Sequence, residues 1–402
     1  MNTKLISTSI MSLLLACAYF FASDMFVPSL PSMAQYFHIG SEAARMTIGL
    51  FLASLAISQL FYGPASDKYG RKPIILLGSL VYLTGSIVCS CSTNIDTLFI
   101  GRAIQGIGAG SLMTLARTIV QDVATKEQFV KIVSLLSIFF LIAPAIAPLI
   151  GGVIETNLSW RASFIFMGVF ALILTLAICF YLNETHSNRN PKALEITTLS
   201  SNYLSIIKNI DFMIVTFAMI AALSGLVVFY TIGPFLLIKH YGLSPMHFGY
   251  ISVLIVSFSL MARIISSTYL QKHYSANTII QLGLTIMVIA GLSILVTDML
   301  GYDSVTVIIA SMCLFAASGS LVAPLSAASA LSMFPKISGA CGAIYGFLQM
   351  GGLFLSSYFA SIISATTANL AIILSTLSIC AYIALALRKM HIKKRDLSTL
   401  PI

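Results

Sequence analysis

Charge is the scarcest commodity in this chain. Only 9% of its 402 residues are Asp, Glu, Lys or Arg, while 58% are hydrophobic. A soluble fold of this length could not cover so much apolar surface, so a soluble globular domain is excluded. Acidic residues are scarcer than basic ones, 13 against 22. Asp24 is the only one well inside an apolar stretch; Asp211 sits at the edge of another. None of the six histidines lies mid-stretch, which argues against a buried histidine relay. The seven cysteines are odd in number, lie in apolar stretches and show no framework spacing. Free packing thiols fit better than a disulfide or metal site, and no metal is expected. There is no Walker motif. Gly106-Ile-Gly108-Ala-Gly110 follows no strand and lies in apolar surroundings, so it is not a nucleotide loop.

Twelve apolar, helix-length stretches are present: 6–31, 44–66, 73–92, 95–118, 131–154, 161–182, 209–236, 246–267, 276–296, 303–331, 337–362 and 366–387. Spanning hydrocarbon takes about 20 apolar residues per helix. The stretches are too long for the alternating strands of an outer-membrane barrel. The first lacks a small-residue cleavage site and reads as a retained span. Sixteen of the 22 Lys and Arg fall at the N-terminus, the 63–72, 119–131 and 183–208 connections, Lys272, Lys336 and the tail. That asymmetry puts both termini in the cytoplasm and argues against nucleic acid as the partner of the net charge of +9. The tail, Arg388 to Arg395, is expected to rest on anionic headgroups.

The longest polar break, 183–208, divides the stretches six and six. The expected domains are 1–182, a linker at 183–208, and 209–402 with the basic tail. Tyr69 to Gly78 can be laid over Tyr274 to Gly283, a faint trace of duplication.

Gly63-Pro-Ala-Ser-Asp67-Lys68-Tyr69-Gly70-Arg71-Lys72 resembles the loop signature of the major facilitator superfamily, with Lys68 where Arg is usual. Arg102-Ala-Ile-Gln105-Gly106 resembles its fourth-span motif. Pro144-Ala-Ile-Ala147-Pro148-Leu-Ile-Gly151-Gly152 is similar to its antiporter motif, departing at Ala147. Asp24-Met25-x-x-Pro28-x-Leu30-Pro31 resembles proton-coupled drug exporters of the Bcr/CflA type. The motifs cover only the first half. The resemblance implies an all-α membrane protein, with twelve transmembrane helices in two pseudo-symmetric six-helix bundles. It also implies a secondary antiporter in the bacterial inner membrane, not an enzyme, driven by the proton gradient without a cofactor.

Several residues carry this expectation. Intramembrane ionisable groups are costly and functional by default, which makes Asp24 the expected proton carrier; the alternative is a carboxylate permanently paired with a base such as Arg102, serving structure. Arg102, sharing a helix face with Gln105, relays the protonation state in the family; a plainer role is hydrogen bonding to backbone carbonyls. Around the 63–72 loop, Gly63 and Gly70 permit close approach or unusual backbone angles. The family pairs Asp67 with the start of span eleven near Ser338 and Gly339, and Arg71 can pair with Asp122, together forming a conformational latch. Pro144 and Pro148 kink span five, and Gly151 and Gly152 permit close helix contact. Gly342-x-x-x-Gly346 reads as a packing face. Phe20, Phe21, Asp24, Gln105, Tyr230, Arg263, Tyr345 and Gln349 are the candidate substrate contacts.

The resulting expectation is a monomeric, proton-coupled drug or small-molecule exporter working by alternating access among membrane lipids. The alternatives are a carrier of a polar or anionic metabolite, such as a carboxylate siderophore, and a membrane sensor that has lost transport.

Overall fold

The computed structural model describes residues 3–398, apart from 187, 188, 190, 192, 194, 195 and 303. The described residues form fifteen α-helices: α1 Thr3–Phe20, α2 Leu30–Tyr36, α3 Ser41–Tyr69, α4 Arg71–Ser90, α5 Ile95–Val123, α6 Lys126–Asn157, α7 Trp160–Tyr181, α8 Ile196–Ile207, α9 Ile210–Gly233, α10 Pro245–Ile265, α11 Gln271–His273, α12 Ala276–Met299, α13 Val305–Ser332, α14 Ser338–Ile362 and α15 Thr367–Ser398. Three π-helical turns interrupt the spans at Phe21–Met25, Pro234–His240 and Ser266–Leu270. Twelve runs among the described residues, from Leu5–Tyr36 to Thr367–Arg388, are long and apolar enough to cross a membrane. They overlap the twelve sequence stretches one for one.

These helices expose apolar side chains that a soluble protein would hide. On α7, Ile165, Val169, Leu172, Ile173, Leu176 and Phe180 are all exposed, a stripe suited to lipid. Polar caps set several helix starts. Asn94 accepts from the Thr97 amide at 2.9 Å, and Thr125 and Gln128 form a reciprocal capping box at the head of α6.

The chain forms two compact units. The first comprises Met1–Ser200, Tyr230–Leu254 and Gly346–Ala365; the second comprises Ser201–Phe229, Ile255–Tyr345 and Thr366–Ile402. In the first, α4 and α5 approach until their backbones touch. A Cβ on Gly85 would lie 2.4 Å from the Gln105 nitrogen, and one on Gly108 would lie 2.3 Å from the Tyr82 nitrogen. Lipid tails offer no hydrophobic drive between helices, so such close packing is what holds them. The Tyr82 hydroxyl then donates to the Ala18 carbonyl at 2.9 Å, tying α4 to α1. In the second unit, Arg388 Nε donates to Asp211 Oδ1 at 2.7 Å, joining α15 to the start of α9.

Three expectations need correction. The 63–72 segment is not a ten-residue loop. α3 runs through it to Tyr69, and the break is Gly70 alone, with φ 103°, a conformation only glycine adopts cheaply. Gly63 therefore sits in regular helix, and a Cβ there would meet nothing within 4 Å. Gly342 likewise faces open space, so the expected small-residue face on α14 is confined to Gly346, which approaches Gln59. The expected linker at 183–208 is not contradicted; it carries the short helix α8, where Ile196, Leu199, Tyr203 and Ile206–Ile207 recur at helical spacing in the sequence. The side chains of the basic tail beyond Arg388 lie outside the described residues.

Candidate functional site

Asp24 lies on the π-helical turn that breaks the first span, and its side chain is buried with 7% exposure. Pro28 and Pro31 follow closely and stand in the first turn of the next two helical segments, where a missing backbone N–H costs least. A wide turn inside a membrane is tolerated only where protein satisfies the freed backbone groups.

Arg102 supplies that satisfaction. Fully buried on α5, it donates from Nη1 to the Ala22 carbonyl at 2.9 Å and from Nε to the Thr47 carbonyl at 3.3 Å. Nη1 also donates to Gln105 Oε1 at 2.5 Å, and the Gln105 amide passes on to Ser86 Oγ at 2.9 Å. The guanidinium is sandwiched between rings, 4.3 Å from the Phe26 centroid and 4.4 Å from that of Phe51. Such flanking stabilises a desolvated cation. Arg102 forms no ion pair with Asp24 among the described residues; it holds the backbone beside Asp24 and acts on the carboxyl through space. Among the described residues, Tyr19 and Tyr230 also interact electrostatically with Asp24.

The antiporter-motif helix closes the opposite side. A Cβ on Gly151 would fall 1.6 Å from the Met25 carbonyl oxygen, so α6 lies directly against the turn that carries Asp24. One on Gly152 would lie 2.5 Å from the Pro245 carbonyl oxygen at the start of α10. Pro148 has no N–H, which leaves the Pro144 carbonyl without its helical donor. The Tyr230 hydroxyl takes that place, donating to the Pro144 carbonyl at 2.5 Å.

The remaining candidates are distributed. Phe20 is buried against Tyr19, Phe139 and Phe140, whereas Phe21 packs edge-on to Phe166 and Phe170 of α7. Gln349 is half-buried in the first unit; Arg263 and Tyr345 are half-buried in the second. The Arg263 Nη1 atom is buried without a hydrogen-bond partner.

At the α3–α4 junction, Arg71 donates to Asp67 Oδ1 at 2.5 Å and to Asp122 Oδ2 at 3.0 Å. Sequence reasoning missed a third carboxylate here. Glu184, just past α7, accepts from the backbone amides of Arg71 at 2.9 Å, Thr185 at 2.9 Å and His186 at 3.0 Å. It thereby caps α4 in trans, and Thr185 donates to Asp122 at 3.0 Å. Burial pushes the Glu184 carboxyl up, but the His186, Arg71, Lys72 and Thr185 amides outweigh it and hold the group below the usual carboxylate range.

Two arginines were also missed. Arg45 is fully buried at the start of α3, where it donates at 2.7 Å to the carbonyls of both Ala360 and Ile363, which end α14. Arg117, exposed on α5, lies 4.9 Å over the Phe140 ring. Arg45 could have been suspected from its apolar neighbours, but its partners are too distant in sequence to guess.

The Major Facilitator Superfamily profile matches residues 12–360. A bicyclomycin resistance protein homolog of Haemophilus influenzae is 28% identical over 367 residues, covering 90% of each chain. Multidrug resistance protein D of Escherichia coli is 27% identical over 386 residues, covering 95% of this chain and 96% of its own. Among solved structures, the partially occluded, inward-open xylose transporter of Escherichia coli superposes with a TM-score of 0.72 at 14% identity, over 95% of this chain and 98% of that one, a likeness of fold alone. These relatives are transporters, not enzymes, and the chain, a multi-pass membrane protein of twelve spans, belongs to the Major Facilitator Superfamily.

Proposed function

We propose that this protein is a proton-coupled antiporter that exports amphipathic small molecules across the bacterial inner membrane. The observation that carries the reading is Asp24: a buried carboxyl on a broken membrane helix, with Arg102 bonded to the backbone beside it. A carboxyl in that setting exchanges its proton when its surroundings change between two facing states. The named drug-resistance relatives, aligned over nearly the whole chain, support export of drug-like cargo. The proton gradient supplies the energy and no cofactor is needed. A single chain suffices, with both termini in the cytoplasm. Alternating access would rock the halves 1–182 and 209–402 about the proton site.

One observation favours a second reading. Arg117, stacked over Phe140 next to Phe20, offers an exposed cation on an aromatic floor. That suits an anionic, partly aromatic compound, as a metabolite carrier would handle. Proteoliposomes holding the purified protein separate the two. Proton movement driven by lipophilic drugs supports the first reading; movement driven only by organic anions supports the second. Movement with neither class would overturn both.

A further inference from the structure

We infer that Tyr230 is a positioning residue that ties the proton site at Asp24 to α6, by way of the Pro144 carbonyl that Pro148 leaves unpaired. The inference rests on the proton-exchange reading above and gives it a moving part.

An unpaired carbonyl inside a membrane helix is costly, and the antiporter motif creates one by placing a proline four residues after residue 144. The group that repairs it comes from a helix distant in sequence. Tyr230 is buried, with 3% exposure, and its ring lies 6.2 Å from that of Phe248. Ring packing fixes where its hydroxyl sits, and Ser252 on α10 is a further hydrogen-bond partner within its reach. Of the groups in range of Asp24, Tyr19 comes from the same span, Arg102 from α5 and Tyr230 from α9. Two turns beyond Pro144, Gly151 rests on the Met25 carbonyl, so α6 meets the Asp24 turn directly as well.

This arrangement makes the hydroxyl a contested donor. A carboxylate is a stronger acceptor than a neutral carbonyl. When Asp24 is ionised, its charge competes with the Pro144 carbonyl for the Tyr230 hydroxyl. When Asp24 is protonated the competition ends and the hydroxyl stays on α6. Protonation thus firms the kinked part of α6, and deprotonation loosens it. The hydroxyl itself gains and loses no proton; only its partner changes.

Amide hydrogen exchange over residues 144–157 of the purified full-length protein tests this, read in mildly acidic and mildly alkaline buffer and corrected for intrinsic exchange. Wild-type protection should fall about threefold on the alkaline side, the worth of one membrane hydrogen bond. Tyr230→Phe, which keeps the ring, should abolish that response, and Asp24→Asn should hold the segment at its acidic level. Pro148→Ala restores a helical donor to the Pro144 carbonyl; it too should flatten the response and make Tyr230→Phe silent. A wild-type segment with no pH response, or Tyr230→Phe with the wild-type response, would overturn the inference. So would equal effects of Tyr230→Phe with and without Pro148. Exchange is read without cargo, so absent proton flux in proteoliposomes sinks the transport reading separately.

Discussion

Arg102 does not pair with Asp24; it donates at 2.9 Å to the carbonyl of Ala22, two residues before it. The arginine thus holds the backbone at the break in the first span, and in the function proposed above the carboxyl remains available for proton exchange. Arg102→Lys keeps the charge but loses the fork that reaches Ala22, Thr47 and Gln105 together. Transport should fall at least tenfold, with membrane abundance nearly unchanged. Counterflow and immunoblotting of the same vesicles check this, and a fully active Arg102→Lys protein would contradict it.

Gly151 offers a steric test. Gly151→Ala forces its new methyl into the Met25 carbonyl, so the Asp24 turn or α6 must move. Gly351→Ala on α14 meets nothing within 4 Å and serves as the control. The first change should cost most of the transport activity and the second little. Equal activity in the two would show that the contact does not matter.

The α3–α4 junction predicts a charge-swap result. Arg71→Asp and Asp122→Arg should each impair transport by breaking the 3.0 Å contact. Combined, they should recover a substantial part of it. Because Arg71 also engages Asp67, rescue should be partial, and Asp67→Asn should improve it. A double variant no better than either single one would count against a latch at this place.

Glu184 predicts a dependence of stability on pH. Its backbone partners lower the folded-state pKa. The stabilisation is therefore complete above the ordinary carboxylate range and is lost as pH falls through the depressed folded value. Glu184→Gln should melt below wild type at neutral pH, and the two curves should converge in acid. A constant difference between them would show that the charge is not what matters.

Arg45 closes a different end of the first unit. Arg45→Met removes the donors to Ala360 and Ile363 and leaves two helix-end carbonyls without that partner. Melting temperature should drop and residues 355–365 should exchange faster. Unchanged protection there would refute the assignment.

Much of this was legible in the sequence because the bilayer imposes a simple length rule. Apolar runs of the required length marked all twelve candidate spans. Gly70, Arg71 and Asp122 could be singled out because glycine and charge are conspicuous in apolar surroundings. What stayed hidden is long-range. Nothing local in Glu184 says that it caps α4, and nothing in Tyr230 says that its hydroxyl repairs a proline-made gap in α6. The run of α3 on to Tyr69 was missed because the glycine, proline and charge between 63 and 70 suggested a loop.

The most direct test of the central claim compares wild type with Asp24→Asn in proteoliposomes under an imposed proton gradient. The account predicts that Asn keeps the shape of the site but cannot release a proton. Gradient-driven uphill transport should vanish, while substrate binding and gradient-independent exchange persist. Uphill transport by Asp24→Asn at the wild-type rate would contradict the account.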